Sequence, residues 1–136
     1  MFVHLRLHTE FSVVDSTCRI DEVVKSAAKD AQPALAITDL NNLFGGVKFY
    51  KESRGAGVKP IIGCEIMLQG LGKDAGMLSR MVVLVQNRQG YLNLCELLAR
   101  GWVSNVQRAQ AWIKWDWLAE LGGGLIALSG ADFGVV

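Results

Sequence analysis

Ala34-Leu35-Ala36-Ile37-Thr38 is a continuous apolar run, too short for a helix and without the alternation of a half-solvated strand. Such a run suits a strand covered on both faces, the kind found in parallel sheets flanked by helices. The segments on either side have helical spacing. Upstream, Asp21 is placed to cap a helix whose inner face holds Val23, Val24, Ala27, Ala28 and Ala31, and Pro33 ends it. Downstream, Asn41 or Asn42 is placed to cap a second helix. Its inner side carries Leu43, Phe44, Val47 and Tyr50, with Gly55 and Gly57 closing it. Strands and helices that alternate through short links predict parallel pairing and right-handed crossovers, hence an α/β fold.

This alternation belongs to the first half of the chain, and further strands and helices follow it. Residues 2–7 alternate like a strand, with Phe2, His4 and Arg6 on one side and Val3, Leu5 and Leu7 on the other. Residues 60–66 read as a further strand with a kink at Gly63. Residues 69–79 are Gly-rich and polar, as in a loop or hairpin, and residues 80–85 follow as a strand. Tyr91, Leu94, Cys95 and Leu98 mark a helix, residues 102–111 have no clear period, and Asp116 is placed to cap a short helix ending near Leu121. Residues 125–128 read as a last strand. The chain stops at Gly134-Val135-Val136 with no helix to cover that strand, which reads as a truncation. An open sheet edge would then favour self-association of the fragment.

Composition narrows the partners. Apolar residues make up 51% of the chain, enough for a core. The 14 basic and 13 acidic side chains nearly cancel, so no strong field for nucleic acid is present. Lys48, Lys51, Arg54 and Lys59 form a local basic stretch, read as a solvated helix face in preference to a phosphate-binding patch. Cys18, Cys64 and Cys95 are widely spaced with no CxxC, which indicates neither structural zinc nor a disulfide framework and suits a reducing cytoplasm. The N-terminus does not read as a signal peptide, and no apolar run is long enough to span a bilayer, so a cytoplasmic location without a membrane partner is expected.

In a parallel α/β unit, reactive side chains gather where strands end. His4, Arg6 and His8 lie on or after the first strand, Asp15 on the loop beyond it, Asp39 at the end of the second, and Glu65 in the third. Two imidazoles and three carboxylates on one rim could bind divalent metals and activate water. The competing reading is structural: a His at a strand end is commonly a hydrogen-bonding rim residue, and Asp39 before Leu40-Asn41-Asn42 could cap a helix.

Several blocks in order resemble one family. His4-Leu5-Arg6-Leu7-His8-Thr9-Glu10-Phe11-Ser12 with Val14-Asp15, Ala34-Leu35-Ala36-Ile37-Thr38-Asp39, and Lys59-Pro60-Ile61-Ile62-Gly63-Cys64-Glu65 resemble three successive motifs of the polymerase-and-histidinol-phosphatase (PHP) domain. Gly45-Gly46-Val47-Lys48-Phe49-Tyr50, Gly90-Tyr91-Leu92-Asn93-Leu94 and Trp117-Leu118-Ala119-Glu120-Leu121 are similar to the branch found in bacterial replicative polymerase III alpha subunits. The resemblance implies the N-terminal portion of a TIM-like α/β barrel, spanning residues 1–136. It also implies that the chain continues into a DNA-directed DNA polymerase, reaches DNA through that parent enzyme, and helps to dock a separate proofreading exonuclease subunit. The parent polymerase needs divalent metal, but no cofactor is expected in this segment.

The departures from the family pattern concern the metal ligands. The resemblance assigns ligands to positions 6, 40 and 80, where this chain has Arg6, Leu40 and Arg80. Arginine has no lone pair to offer and stays protonated, and leucine has no donor atom. His8, Asp15 and Glu65 survive as vestigial candidates. A guanidinium beside them repels a cation, by roughly 4 kcal/mol for two unit charges a few ångströms apart near a surface. The expectation is therefore a metal-depleted structural and docking domain with no catalytic residue. In it Arg6, helped by Arg80, replaces the lost positive charge against Asp15 and Glu65. The alternatives are an active metal-dependent phosphoesterase or 3'-5' exonuclease of the PHP class, and an independent small interaction protein.

Overall fold

The computed structural model describes residues 2–12, 16–69 and 78–129. The chain divides into two compact units, Met1–Cys64 and Glu65–Val136.

The first unit is built on the apolar run singled out above. Strand β1, Ala34–Ile37, is buried at every position. It pairs in parallel with the start of β2, Lys59–Gln69, from Ala34 opposite Lys59 to Ile37 opposite Ile62. Helix α1, Ile20–Lys29, and helix α2, Gly46–Ala56, pack on each other and on β1. Ile20, Val24, Ala27, Leu35, Ile37, Phe49 and Val58 form the core. Complete burial of a side chain the size of Phe49 contributes roughly 1.5 to 3 kcal/mol.

Three local expectations fail here. Residues 2–7 do not form a strand, and only His4 makes a bridge, parallel to Leu35. The Ala36 amide donates to His4 O at 3.0 Å and the Thr38 amide to Leu7 O at 2.9 Å. From Ala36 to Thr38 one segment advances two residues while the N-terminal segment advances three, from His4 to Leu7, and the extra residue breaks the alternation as a bulge does. Helix α1 starts at Ile20, so Asp21 lies in its first turn and is not the cap. Helix α2 starts at Gly46, and neither Asn41 nor Asn42 caps it.

The inner face of α2 also differs from the apolar pattern. Phe49 and Ser53 are buried, whereas Phe44, Val47 and Tyr50 face outward. The reason is Gly45. A Cβ there would lie 2.9 Å from Ile20 Cδ1 and 3.0 Å from Phe11 Cδ2, so the chain approaches the core closely only without a side chain. That contact turns positions 45, 49 and 53 inward, one helical turn apart. Gly57 ends the helix at φ 78, the left-handed cap that glycine supplies.

In the second unit β3, Leu78–Val85, lies between β2 and β6, Leu125–Ser129. β3 and β6 are antiparallel, from Met81 opposite Ser129 to Val85 opposite Leu125. The parallel pairing expected from the alternation in the first half of the chain is that of β1 with β2, and the second half adds an antiparallel pair. Helix α3, Arg88–Ser104, is capped by Asn87, whose side chain accepts from the Gly90 amide at 2.9 Å. It packs on β3 and on helix α4, Trp115–Leu121. Leu94, Leu97 and Leu98 are its buried side chains, while Tyr91 is half exposed. The stretch without a clear period contains the end of α3 and a two-residue hairpin. Its strands β4, Val106–Gln107, and β5, Gln110–Ala111, flank Arg108 and Ala109 at φ 52 and 62. Positive φ at both turn residues matches the strand twist, but here no glycine or asparagine supplies it. The end of the chain at Gly134-Val135-Val136 and most of the Gly-rich loop lie outside the described residues.

Candidate functional site

A buried polar cluster of the first unit surrounds Asp39, just past the end of β1. Asp39 is 1% exposed, and Thr9 and Ser12 are buried beside it. Its Oδ1 accepts from the Thr9 amide at 2.5 Å and from Ser12 Oγ at 2.8 Å, and its Oδ2 accepts from Thr9 Oγ1 at 2.7 Å. Ser12 Oγ in turn accepts from the Leu40 amide at 3.1 Å. Asn42 Nδ2 donates to Phe11 O at 2.9 Å and Leu40 O at 3.1 Å, and its Oδ1 accepts from the Phe44 amide at 3.2 Å. A buried carboxylate is costly unless hydrogen bonds replace its water, and three donors do so here. The cluster ties the 3-10 turn Glu10–Ser12 to the end of β1. Thr9 and Ser12 had not been singled out individually from the sequence, and Asn42 only as a helix cap. Their signal was the concentration of Ser, Thr and Asn around two chain reversals, which favours side-chain to backbone bonding.

The second unit holds a buried acid beside a cation. Glu65 is 0% exposed in β2, and Arg80 reaches it from β3, with Nη1 3.8 Å from Glu65 Oε2. The remaining candidates are placed as follows. His4 is exposed, its ring edge-on to Phe2 at 4.6 Å between centroids. Arg6 is exposed and His8 half-buried on the N-terminal segment. Leu40 is buried. Asp15 lies outside the described residues. Among the described residues, no three of His, Cys, Asp and Glu are placed to hold one metal ion.

Residues 4–136 match the PHP domain family. The chain belongs to that family. Curated relatives of this PHP domain include the DNA polymerase III subunit alpha of Pseudomonas aeruginosa, 47% identical over 135 residues, and that of Escherichia coli K12, 44% identical over 137. Each match covers 99% of this chain, which spans 11% and 12% of the two relatives. Two solved structures share the fold. One, from Bifidobacterium adolescentis, is assigned as a metal-dependent phosphoesterase. It gives a TM-score of 0.53 at 18% identity, over 73% of this chain and 32% of that one. The other is an amidohydrolase from Chromobacterium violaceum with bound sulfate and no metal, with a TM-score of 0.54 at 20% identity over the same shares. The fold is thus mixed α/β, and the described residues do not form a closed barrel.

The donors among the described residues do not fit a multinuclear metal site. Asp39 has both carboxylate oxygens engaged by hydroxyl and amide donors. Glu65 faces a guanidinium, which repels a metal ion and cannot ligate one. No helix among the described residues is long and apolar enough to cross a membrane.

Proposed function

We propose that this PHP domain is a metal-depleted structural and docking part of the alpha subunit of a replicative DNA polymerase. In this reading the parent chain performs DNA-templated DNA synthesis in the cytoplasm, and the domain supports it without chemistry of its own. Identity of 47% over 99% of the chain to a polymerase III alpha subunit is the observation that carries the reading. The Arg80–Glu65 pair supports the metal-depleted part of it, because a guanidinium then provides the positive charge that a buried glutamate needs. The proofreading exonuclease subunit is the partner that the reading assigns to docking.

The test uses the polymerase chain that carries this domain. Deleting the domain should lower primer extension and abolish co-elution with the proofreading exonuclease subunit, whereas His8→Ala should leave both unchanged. The proposal fails if the purified protein shows manganese- or zinc-dependent phosphodiester hydrolysis that His8→Ala removes.

A further inference from the structure

The outward side of α2 has an unusual composition for a solvated helix face. Phe44, at its entrance, is 76% exposed, Val47 68% and Tyr50 48%. Val47, Lys51 and Arg54 follow one another along a single line of the helix, with Tyr50 on its flank. The Arg54 guanidinium lies over the Tyr50 ring, 5.7 Å from its centroid. Glu52, the one acidic residue of α2, falls off that line. Lys48 is drawn aside to Glu10, with Nζ 3.3 Å from Oε1. One end of the face is therefore apolar and the other cationic.

We propose that this face docks a polypeptide segment that presents apolar side chains flanked by carboxylates. Exposed apolar side chains close together, as Phe44 just before α2 and Val47 and Tyr50 on it are in sequence, mark an interaction site more often than isolated ones do. An amphipathic segment with apolar residues three or four positions apart would cover Phe44 and Val47, and its carboxylates would meet Lys51 and Arg54. A nucleic acid fits less well. Its phosphates leave Phe44 and Val47 uncovered, Arg54 already occupies one side of the Tyr50 ring, and a chain of net charge +1 provides little attraction for a polyanion. The inference goes beyond the proofreading-subunit reading and stands on α2 alone, so the two can fail separately.

Random-peptide phage display on the full chain tests it, with the enriched peptides synthesised and their binding read by fluorescence anisotropy. Enriched peptides should be acidic and carry two apolar residues three or four apart. Phe44→Ser, and Lys51→Glu combined with Arg54→Glu, should each weaken binding about tenfold or more, with unchanged circular dichroism. The charge-reversed variant should regain binding to a peptide whose carboxylates are changed to lysines. Enrichment of neutral or basic sequences would overturn the proposal, as would equal binding to Phe44→Ser. Binding of single-stranded oligothymidylate that Phe44→Ser abolishes would assign the face to nucleic acid instead. Self-association lost in Val47→Asp would assign it to a second copy. Either result also overturns the proposal.

Discussion

Asp39→Asn separates a structural carboxylate from a metal ligand, because the two roles predict opposite changes in stability. Asp39 accepts three hydrogen bonds within 2.8 Å and is 1% exposed. Asparagine has the same shape but keeps one acceptor oxygen and turns an NH2 toward a donor. Thr9 Oγ1 can rotate away from it, because that oxygen also accepts from the Phe11 amide at 3.3 Å. The smallest loss is then one charge-assisted bond together with weakening of the other two, about 2 to 4 kcal/mol where each such bond contributes roughly 1.5 to 3. A carboxylate kept for metal would crowd its acidic neighbours in metal-free protein, and neutralising it would leave stability unchanged or raise it. The assay is urea unfolding followed by circular dichroism in the presence of chelator. Thr9→Val removes the donor to Oδ2 and should reproduce part of the loss. The double variant should lose less than the sum of the two, because both delete the same bond. An Asp39→Asn protein within about 0.5 kcal/mol of the parent, or more stable than it, would refute the reasoning.

Three further outcomes follow from the packing and the charges. Gly45→Ala should destabilise by about 1 to 2 kcal/mol, because the added methyl meets Ile20 and Phe11, whereas Gly55→Ala meets nothing within 4 Å and should stabilise by up to about 1 kcal/mol; thermal melts of the two variants should move in opposite directions. Arg80→Ala should destabilise the fold by about 1 to 3 kcal/mol by weakening the compensation of buried Glu65, and adding Glu65→Gln should recover part of the loss; a double-mutant cycle with no coupling would exclude Arg80 as that compensation. Charge repulsion from the Cys95 sulfur, followed by its hydrogen bond, holds the Tyr91 hydroxyl above the ordinary tyrosine value of 10.0, so this contribution to stability is complete below that pH and is lost as pH rises through the folded-state value; Cys95→Ala should bring the phenolate absorbance transition of Tyr91 to lower pH.

The periodicity of the chain was enough to determine which segments become regular structure where local pattern and burial agree. The run at 34–37 is a buried strand because an apolar segment of that length has no solvated face to offer. Asn87 had not been read as a cap, yet an asparagine just before a helical stripe is a capping signal that depends only on nearby backbone. That Leu40 and Arg6 cannot ligate a metal was also evident from residue type alone, since no fold gives leucine a donor atom or a protonated guanidinium a lone pair.

Tertiary structure decided what depended on partners distant in sequence. The face of α2 was misread because the residue that orients it, Gly45, has no side chain to enter an apolar pattern; its fit against Ile20 and Phe11 exists only once the two helices meet. The antiparallel pairing of β3 with β6 was not legible because the residues that pair there are 40 to 48 positions apart, and strand direction over such a span is set by how the sheet is completed and not by local spacing. Asp39 could be recognised as a carboxylate at a strand end. Its role as a hydrogen-bond acceptor came from Thr9 and Ser12, 30 and 27 residues away, because a buried charge is defined by the donors that replace its water.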